Sequence, residues 1–259
     1  MALDTKYRPT RYSDVLGQEA TAAVLKEFVR SGKGCHQSYL ICGQWGSGKT
    51  TLGRILARSL LCANPQNGEP CDECLSCRDI LAHGRSEAFT EFDAASNSGK
   101  ADLAAVIEEN QYSTTSGKQR IYLIDEAHRL SKQALDVLLK PMEDERQTGA
   151  KELICVFCTT EPEKMHSTVP SRCAPAFVIR VVAPEVIAKR LAWVCDQEGI
   201  AYEEEALVFV AAAKESHIRD ALKAVETISM LGPVSVGRVA ETLMLDTNPQ
   251  AVQILTGLG

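Results

Sequence analysis

The octet Gly43-Gln44-Trp45-Gly46-Ser47-Gly48-Lys49-Thr50 constrains this chain more than any other feature, because it meets every fixed position of the G-x-x-x-x-G-K-[ST] phosphate loop. Ser38 to Cys42 ahead of it reads as a short apolar strand, and Leu52, Ile55, Leu56 and Leu60 behind it recur at helical spacing. The context is strand, loop, helix. There, glycines let consecutive backbone N–H groups and the helix N-terminus face negative charge, Lys49 reaches β- and γ-phosphates, and the Thr50 hydroxyl helps hold Mg²⁺. A triphosphate is the expected ligand. A chance glycine-rich turn before a helix is the competing account, which the motifs further along the chain disfavour.

A second signal is Ile121-Tyr122-Leu123-Ile124-Asp125-Glu126, an apolar strand ending in adjacent carboxylates, where α/β sheets place their ligands. Asp125 would serve the Mg²⁺ shell, directly or through water, and Glu126 would orient and polarise the water that attacks a γ-phosphate. A strand running into a solvated turn is the alternative, and the intact phosphate loop upstream weighs against it. His128 completes Asp-Glu-Ala-His, superficially a helicase motif, but no matching arginine-rich motif follows.

Ten cysteines in a chain with a nucleotide loop and no apolar signal core at its start point to a reducing compartment rather than to disulfides. Cys71, Cys74 and Cys77 form C-x2-C-x2-C, and Cys62 lies nine residues upstream of Cys71. Four thiolates suit a closed tetrahedral Zn²⁺ site. The loop Asn64 to Pro70 has almost nothing to bury, so a metal would replace the core it lacks. Unligated thiols or an iron–sulfur cluster are the alternatives; no cysteine follows Cys77 at ferredoxin spacing. Cys155 and Cys158 also have C-x2-C spacing, but on a strand they point to opposite faces and read as core. Cys35, Cys42, Cys173 and Cys195 have no assignable partner.

With 259 residues, 45% hydrophobic and 24% charged, the chain is long enough for a large core and a smaller second unit. The longest apolar run, Leu153 to Cys158, is far too short to span a bilayer, so no membrane and a cytoplasmic location are expected. A net charge of −6 argues against a uniformly basic nucleic-acid coat and leaves room for a local basic groove. Strand candidates are Ser38 to Cys42, Ala88 to Asp93, Arg120 to Asp125, Leu153 to Thr159 and Ala176 to Val181, alternating with helices as in a parallel α/β sheet. From Pro184 the pattern becomes helical, with Gly199 ending the first helix and Gly232-Pro233 closing a later one. The expected division is a nucleotide-binding domain over 1–179 with the cysteine module at 62–77, a small all-helical lid over 180–245, and 246–259 as the start of a further domain.

Taken in order, these motifs spell a family. Lys6-Tyr7-Arg8-Pro9, Val15-Leu16-Gly17-Gln18, the phosphate loop, the four cysteines, Asp93-Ala94-Ala95-Ser96-Asn97, the Asp125-Glu126 strand, Leu138-Leu139-Lys140, Thr159-Thr160-Glu161-Pro162, Ser171-Arg172-Cys173 and Ser216 to Leu222 run along nearly the whole chain. The chain resembles the AAA+ clamp-loader ATPases of the bacterial DNA polymerase III gamma/tau type. The resemblance implies an AAA+ P-loop fold with a zinc-binding insertion and a helical lid, and ATP, Mg²⁺ and Zn²⁺ as cofactors. Tyr7, Arg8, Pro9, Val15 and Leu16 would line the adenine pocket, and Gly43, Gly46, Ser47, Gly48, Lys49, Thr50 and Thr51 would cradle the phosphates. Thr160, with Thr159 as alternative, would sense the γ-phosphate, Arg219 would reach the nucleotide from the lid, and Arg172 would act in trans as an arginine finger. For Arg172 and Arg219 a surface ion pair is the plain alternative. Asn97, Lys100, Lys140 and Lys164 would face primer-template DNA, contacting phosphates without reading bases.

Partners implied by the resemblance are other clamp-loader subunits, in a hetero- or homo-oligomer, the sliding clamp and primer-template DNA. Two departures stand out. Pro141 to Gly149 is long and charged where the family has a Pro-Pro turn, and Glu215 stands where the family usually has Gly. Family members continue into an all-helical collar, so a chain ending at Gly259 is expected to be a truncated form or a naturally short relative. The favoured function is an ATPase that places a clamp on primed DNA. The rivals are a nucleotide-binding-incompetent structural subunit and another AAA+ DNA remodeller. The first rival would be free to lose Lys49, Thr50, Asp125 or Glu126, and the second has no need of the cysteine module.

Overall fold

The structure, a computed structural model, describes residues 1–32, 38–96, 103–104, 119–139, 152–173 and 176–244. Asn97, Lys100, Lys140, the 141–149 segment and the proposed collar start lie outside them. Five strands form one sheet: β1 (Tyr39–Gly43), β2 (Phe89–Asp93), β3 (Gln119–Asp125), β4 (Glu152–Thr159) and β5 (Phe177–Ile179), in the order β2-β3-β4-β1-β5. Every pairing is parallel. Four strand expectations hold to within a residue. The fifth shortens from 176–181 because β5 is an edge strand paired with β1 alone, and that ladder stops at Gly43↔Ile179.

A parallel sheet needs cover on both faces, and the three inner strands are correspondingly apolar over their central residues. One face carries Ile41, Ile121, Leu123, Val156 and Cys158 against Leu25 of α2 (Glu19–Ser31), Leu52, Ile55 and Leu56 of α3 (Lys49–Leu61), and Ile80 of α4 (Leu75–His83). The other carries Leu40, Tyr122, Ile124, Cys155 and Phe157 against Leu135, Leu138 and Leu139 of a helix over 132–139, α5. Cys155 and Cys158 therefore sit on opposite faces, as their spacing demands. Each fully buried Leu or Ile contributes about 1.5–3 kcal/mol.

The chain divides into two compact units, one of Thr10–Gln44 and Gly48–Ile179, the other of Met1–Pro9, Trp45–Ser47 and Arg180–Gly259. The sheet belongs to the first. Beyond a short N-terminal helix, Leu3–Lys6, the second contains Pro184–Glu198, Glu204–Ala213, Ile218–Ser229 and Val236–Leu243. Pro184 occupies a permitted helix start, and Gly199 ends that helix at φ +66°. Helix Ile218–Ser229 stops with Met230 as its cap, ahead of Gly232. Leu191, Val194, Phe209, Leu222, Val225 and Val239 form this unit's core, and Leu3 joins them, which is why the first nine residues group with these helices. Among the described residues no helix is long and apolar enough to cross a membrane.

Gly53 shows how closely α3 lies on the sheet: a Cβ there would fall 2.6 Å from Leu123 Cδ1 and 3.3 Å from Val156 Cγ1. Gly53→Val is expected to cost about 1–3 kcal/mol through overpacking, read as a lower urea midpoint. An unchanged midpoint would contradict the close approach.

Candidate nucleotide site and four-cysteine cluster

β1 delivers the loop and α3 receives it. Gly46 at φ +71° and Gly48 at φ +96° hold left-handed backbone that a side chain would strain. Gly48 caps α3, so the amides of Lys49, Thr50 and Thr51 open the helix with no carbonyl of their own to serve, a positive end suited to an anion. Lys49 is only 5% exposed, and its Nζ donates to the Gln44 carbonyl at 2.9 Å. Burial lowers its pKa, while the nearby Glu126 and Asp125 charges work the other way. Ser47 Oγ is buried with no hydrogen-bond partner among the described residues, an orphan donor within the loop.

The acidic pair arrives on β3. Thr50 Oγ1 donates to Asp125 Oδ2 at 2.7 Å, joining residues 75 apart in sequence. Glu126, just past the strand, is 7% exposed and sits at φ +50°, an uncommon conformation for a residue with a long side chain. Thr160 Oγ1 donates to Glu126 Oε2 at 3.1 Å. The two threonines at the end of β4 thus divide: Thr160 meets the carboxylate, and the fully buried Thr159 accepts the Glu161 N–H at 3.0 Å and lies 2.9 Å from His128 Nδ1. Donation by Thr159 to Nδ1 leaves the His128 Nε2–H to face Glu161 Oε1 at 3.1 Å. The sequence offered His128 only as the end of Asp-Glu-Ala-His. Its spacing from Thr159 gave no signal, nor did the bidentate ion pair of Arg54 with Glu91, 2.6 and 2.8 Å, that ties α3 to β2.

The sulfurs of Cys62, Cys71, Cys74 and Cys77 all lie within 4.8 Å of one another. A regular tetrahedron with Zn–S of about 2.3 Å has edges of about 3.8 Å, so the cluster closes on a metal with small movements. The Cys71 amide donates to Cys62 Sγ at 3.2 Å and the Cys74 amide to Cys71 Sγ at 3.3 Å, contacts that favour thiolates. Amides from Cys74 and Glu73 bring the Cys71 thiol down to about 6, whereas burial pushes Cys77 up. Four converging sulfurs with donated N–H bonds fit a closed thiolate site.

Comparison with known proteins gives this geometry a family. Residues 17–180 match the family described as DNA polymerase III, delta subunit. The tau subunit of DNA polymerase III from Escherichia coli K12 is 33% identical over 258 residues, 99% of this chain and 39% of that protein. The tau subunit of Bacillus subtilis 168 is 33% identical over 234 residues, 90% of this chain and 40% of that protein. This chain belongs to that DNA polymerase III subunit family, and over most of its length it is similar to the tau subunits. It spans about two fifths of the length of the curated relatives it matches. Among solved structures, the RuvB Holliday junction branch migration motor of Thermotoga maritima aligns with a TM-score of 0.66 at 18% identity, covering 97% of this chain and 72% of that one. At that identity the likeness is one of fold.

The remaining residues marked by the gamma/tau resemblance are placed as follows. Val15 packs on the sheet core beside α2, and Leu16 follows it in the same loop. Arg172 ends the 3-10 turn Pro170–Arg172, half-buried, with Nη1 donating to the Thr168 carbonyl at 3.0 Å. Lys164 is exposed and ion-paired with Glu161. In the other unit, Tyr7 packs edge-on against Trp193 and gives its hydroxyl to Glu198, with Arg8 and Pro9 following. Arg219 Nε lies 3.1 Å from Asp4 Oδ2, so the ion pair weighed for it in the sequence is formed within that unit.

His128→Ala would leave the buried Thr159 hydroxyl short of a partner, at a cost of about 1–3 kcal/mol. Urea unfolding is the check. A variant as stable as the parent would remove the His128–Thr159 bond from the account of how the β4 end is held.

Proposed function

We propose that this chain is the ATP-binding and ATP-hydrolysing subunit of a DNA sliding-clamp loader, acting with other loader subunits to open the clamp and place it on primer-template DNA. The observation that carries the reading is the Thr50–Asp125 bond: it joins the first turn of the loop helix to the acidic strand end, inside a chain similar to the tau subunits of DNA polymerase III. Lys49 and the loop amides would hold the β- and γ-phosphates. Thr50 and Asp125 would hold Mg²⁺, which supplies Lewis-acid neutralisation of phosphate charge. Glu126, oriented by Thr160, would accept a hydrogen bond from the attacking water and align it with the γ-phosphorus. The buried, unpartnered Ser47 hydroxyl and the left-handed glycines support a phosphate in the cradle.

Tyr7, Arg8, Pro9, Val15 and Leu16 are assigned to the adenine wall and residues 180–245 to a lid carrying Arg219. For that role Arg219 would exchange Asp4 for phosphate. Arg172 is assigned to a neighbour's nucleotide, where a planar, permanently charged fork stabilises transition-state charge. Lys164, with Asn97, Lys100 and Lys140, is assigned to DNA phosphates. The four cysteines are assigned a structural Zn²⁺, whose complete thiolate shell leaves no position for water. A nucleotide-free scaffold is disfavoured because Lys49, Thr50, Asp125 and Glu126 are all present and all four are already joined to one another or to Thr160 and Gln44.

An assembly mixing Lys49→Ala with Arg172→Ala chains in defined neighbour positions tests both assignments. Lys49→Ala is expected to weaken ATP binding about 10–100-fold by removing a charged hydrogen-bond donor. Phosphate release is expected from an intact Lys49 site only where the adjacent chain supplies Arg172. Hydrolysis that instead follows Arg172 within the same chain contradicts the trans role, and undiminished ATP binding by Lys49→Ala contradicts the site.

A further inference from the structure

Outside α3 and α4, the contacts described for the four-cysteine module run to α2 and to the segment that leads into it. Glu69, two residues before Cys71, accepts the Tyr12 N–H at 2.9 Å and pairs with Lys26 of α2 at 2.8 Å. Asp72, directly after Cys71, pairs with Arg11 at 2.9 Å through Oδ2 and with Arg58 through Oδ1. Arg58, whose side chain is 3% exposed, also donates to the Thr10 carbonyl at 3.0 Å. The approach is close: a Cβ on Gly68 would stand 2.4 Å from the Lys26 carbonyl oxygen. So one short loop presents Cys71 and Cys74 to the metal position on one side and Glu69 and Asp72 to Thr10, Arg11 and Tyr12 on the other.

Arg58 links the two sides. Its guanidinium has the Cys77 and Cys62 sulfurs as neighbours, and its Nε–H has no hydrogen-bond partner among the described residues. A divalent metal with four thiolates carries two net negative charges, and a buried cation beside it offsets part of them. Without that shell the loop has little apolar surface to fix Glu69 and Asp72 where the segment needs them. Tyr12 is 1% exposed, and the chain runs from it straight to Val15 and Leu16, the wall assigned above to adenine.

We infer that metal binding at the four cysteines is coupled to nucleotide binding at the loop, with Glu69, Asp72 and Arg58 as positioning residues that latch residues 10–16 when the metal is in place. The inference rests on the adenine-wall reading of Val15 and Leu16. Coupling of this kind is reciprocal: metal raises nucleotide affinity, and nucleotide raises metal affinity by the same factor, typically about 5–150-fold. The latch residues touch neither phosphate nor metal in this role, which separates them from Lys49 and the cysteines.

The test uses the full chain loaded with Zn²⁺, the same chain depleted by chelation, and a Glu69→Ala/Asp72→Ala variant that keeps all four cysteines. Elemental analysis gives the zinc content, hydrogen exchange reports the amides of residues 10–16 without nucleotide, and titration gives the Kd for ATP. For the parent chain, metal removal is expected to speed exchange at 10–16 and to weaken ATP binding about tenfold. The variant is expected to hold about one zinc per chain yet to show fast exchange and weak ATP binding that metal removal no longer changes. Should depletion unfold the chain, the comparison of parent and variant, both zinc-loaded, decides. Equal exchange at 10–16 in those two proteins overturns the latch. Altered exchange with an unchanged Kd overturns the coupling to nucleotide. A zinc-loaded parent that binds no ATP at all fails the functional reading first, and the absence of bound zinc fails the metal site; the coupling falls with either.

Discussion

Strand β4 is hydrogen-bonded on both sides, to β1 through Tyr39↔Val156 to Cys42↔Thr159 and to β3 through Gln119↔Glu152 to Ile124↔Phe157. Its insertion separates the loop strand from the acidic strand and fixes where all three end. The C-terminal ends of β1, β4 and β3 lie side by side, so the phosphate loop, Thr159-Thr160 and Asp125-Glu126 share one edge of the sheet. Were β1 and β3 direct neighbours, the loop and the acidic pair would meet with no threonine between them. The Thr50–Asp125 and Thr160–Glu126 bonds are consequences of that order. The buried cover from Leu52, Ile55 and Leu56 on one face and Leu135 and Leu138 on the other keeps the ladder dry and therefore rigid.

At that edge the chain concentrates charge where solvent screening is weak. Lys49, Asp125 and Glu126 face one another with Lys49 and Glu126 nearly buried, and the low local dielectric strengthens each of their interactions while raising the cost of leaving any of them unpaired. The left-handed backbone at Glu126 is held by what surrounds it: Asp125 Oδ1 accepts its N–H at 3.0 Å, and its carbonyl accepts the Arg129 N–H at 2.9 Å. His128 then ties the β3 end to the β4 end through Thr159 and Glu161. A site preorganised in this way suits charge that develops on a transferring phosphoryl group.

The motifs were legible because each rests on local geometry. A phosphate loop needs its glycines in place, a buried strand needs an apolar run, and a metal module needs its sulfurs at short spacing, so β1, β3, β4, α3 and the cysteine cluster could be read directly from residue patterns. Long-range pairing left no such trace. Nothing in the sequence orders β4 between β1 and β3, selects Thr160 rather than Thr159 for Glu126, joins Arg54 to Glu91, or sends Asp72 back to Arg11 and Arg58. The helical pattern after Pro184 was clear from its proline and glycine boundaries. The membership of Met1–Pro9 in that unit was not, since it depends on Leu3 finding the core of Leu191 and Leu222, far along the chain.

The central claim is the proposed division of labour at one strand end, with Lys49 and the loop amides holding phosphate, Thr50 and Asp125 holding Mg²⁺, and Glu126 directing water. Glu126→Gln, nearly isosteric, measured in the proposed loader assembly for both ATP affinity and single-turnover phosphate release, separates the two roles. ATP binding within about twofold of the parent, with phosphate release slowed about 10²–10⁴-fold, is the result this account predicts. Phosphate release at the parent rate would contradict it.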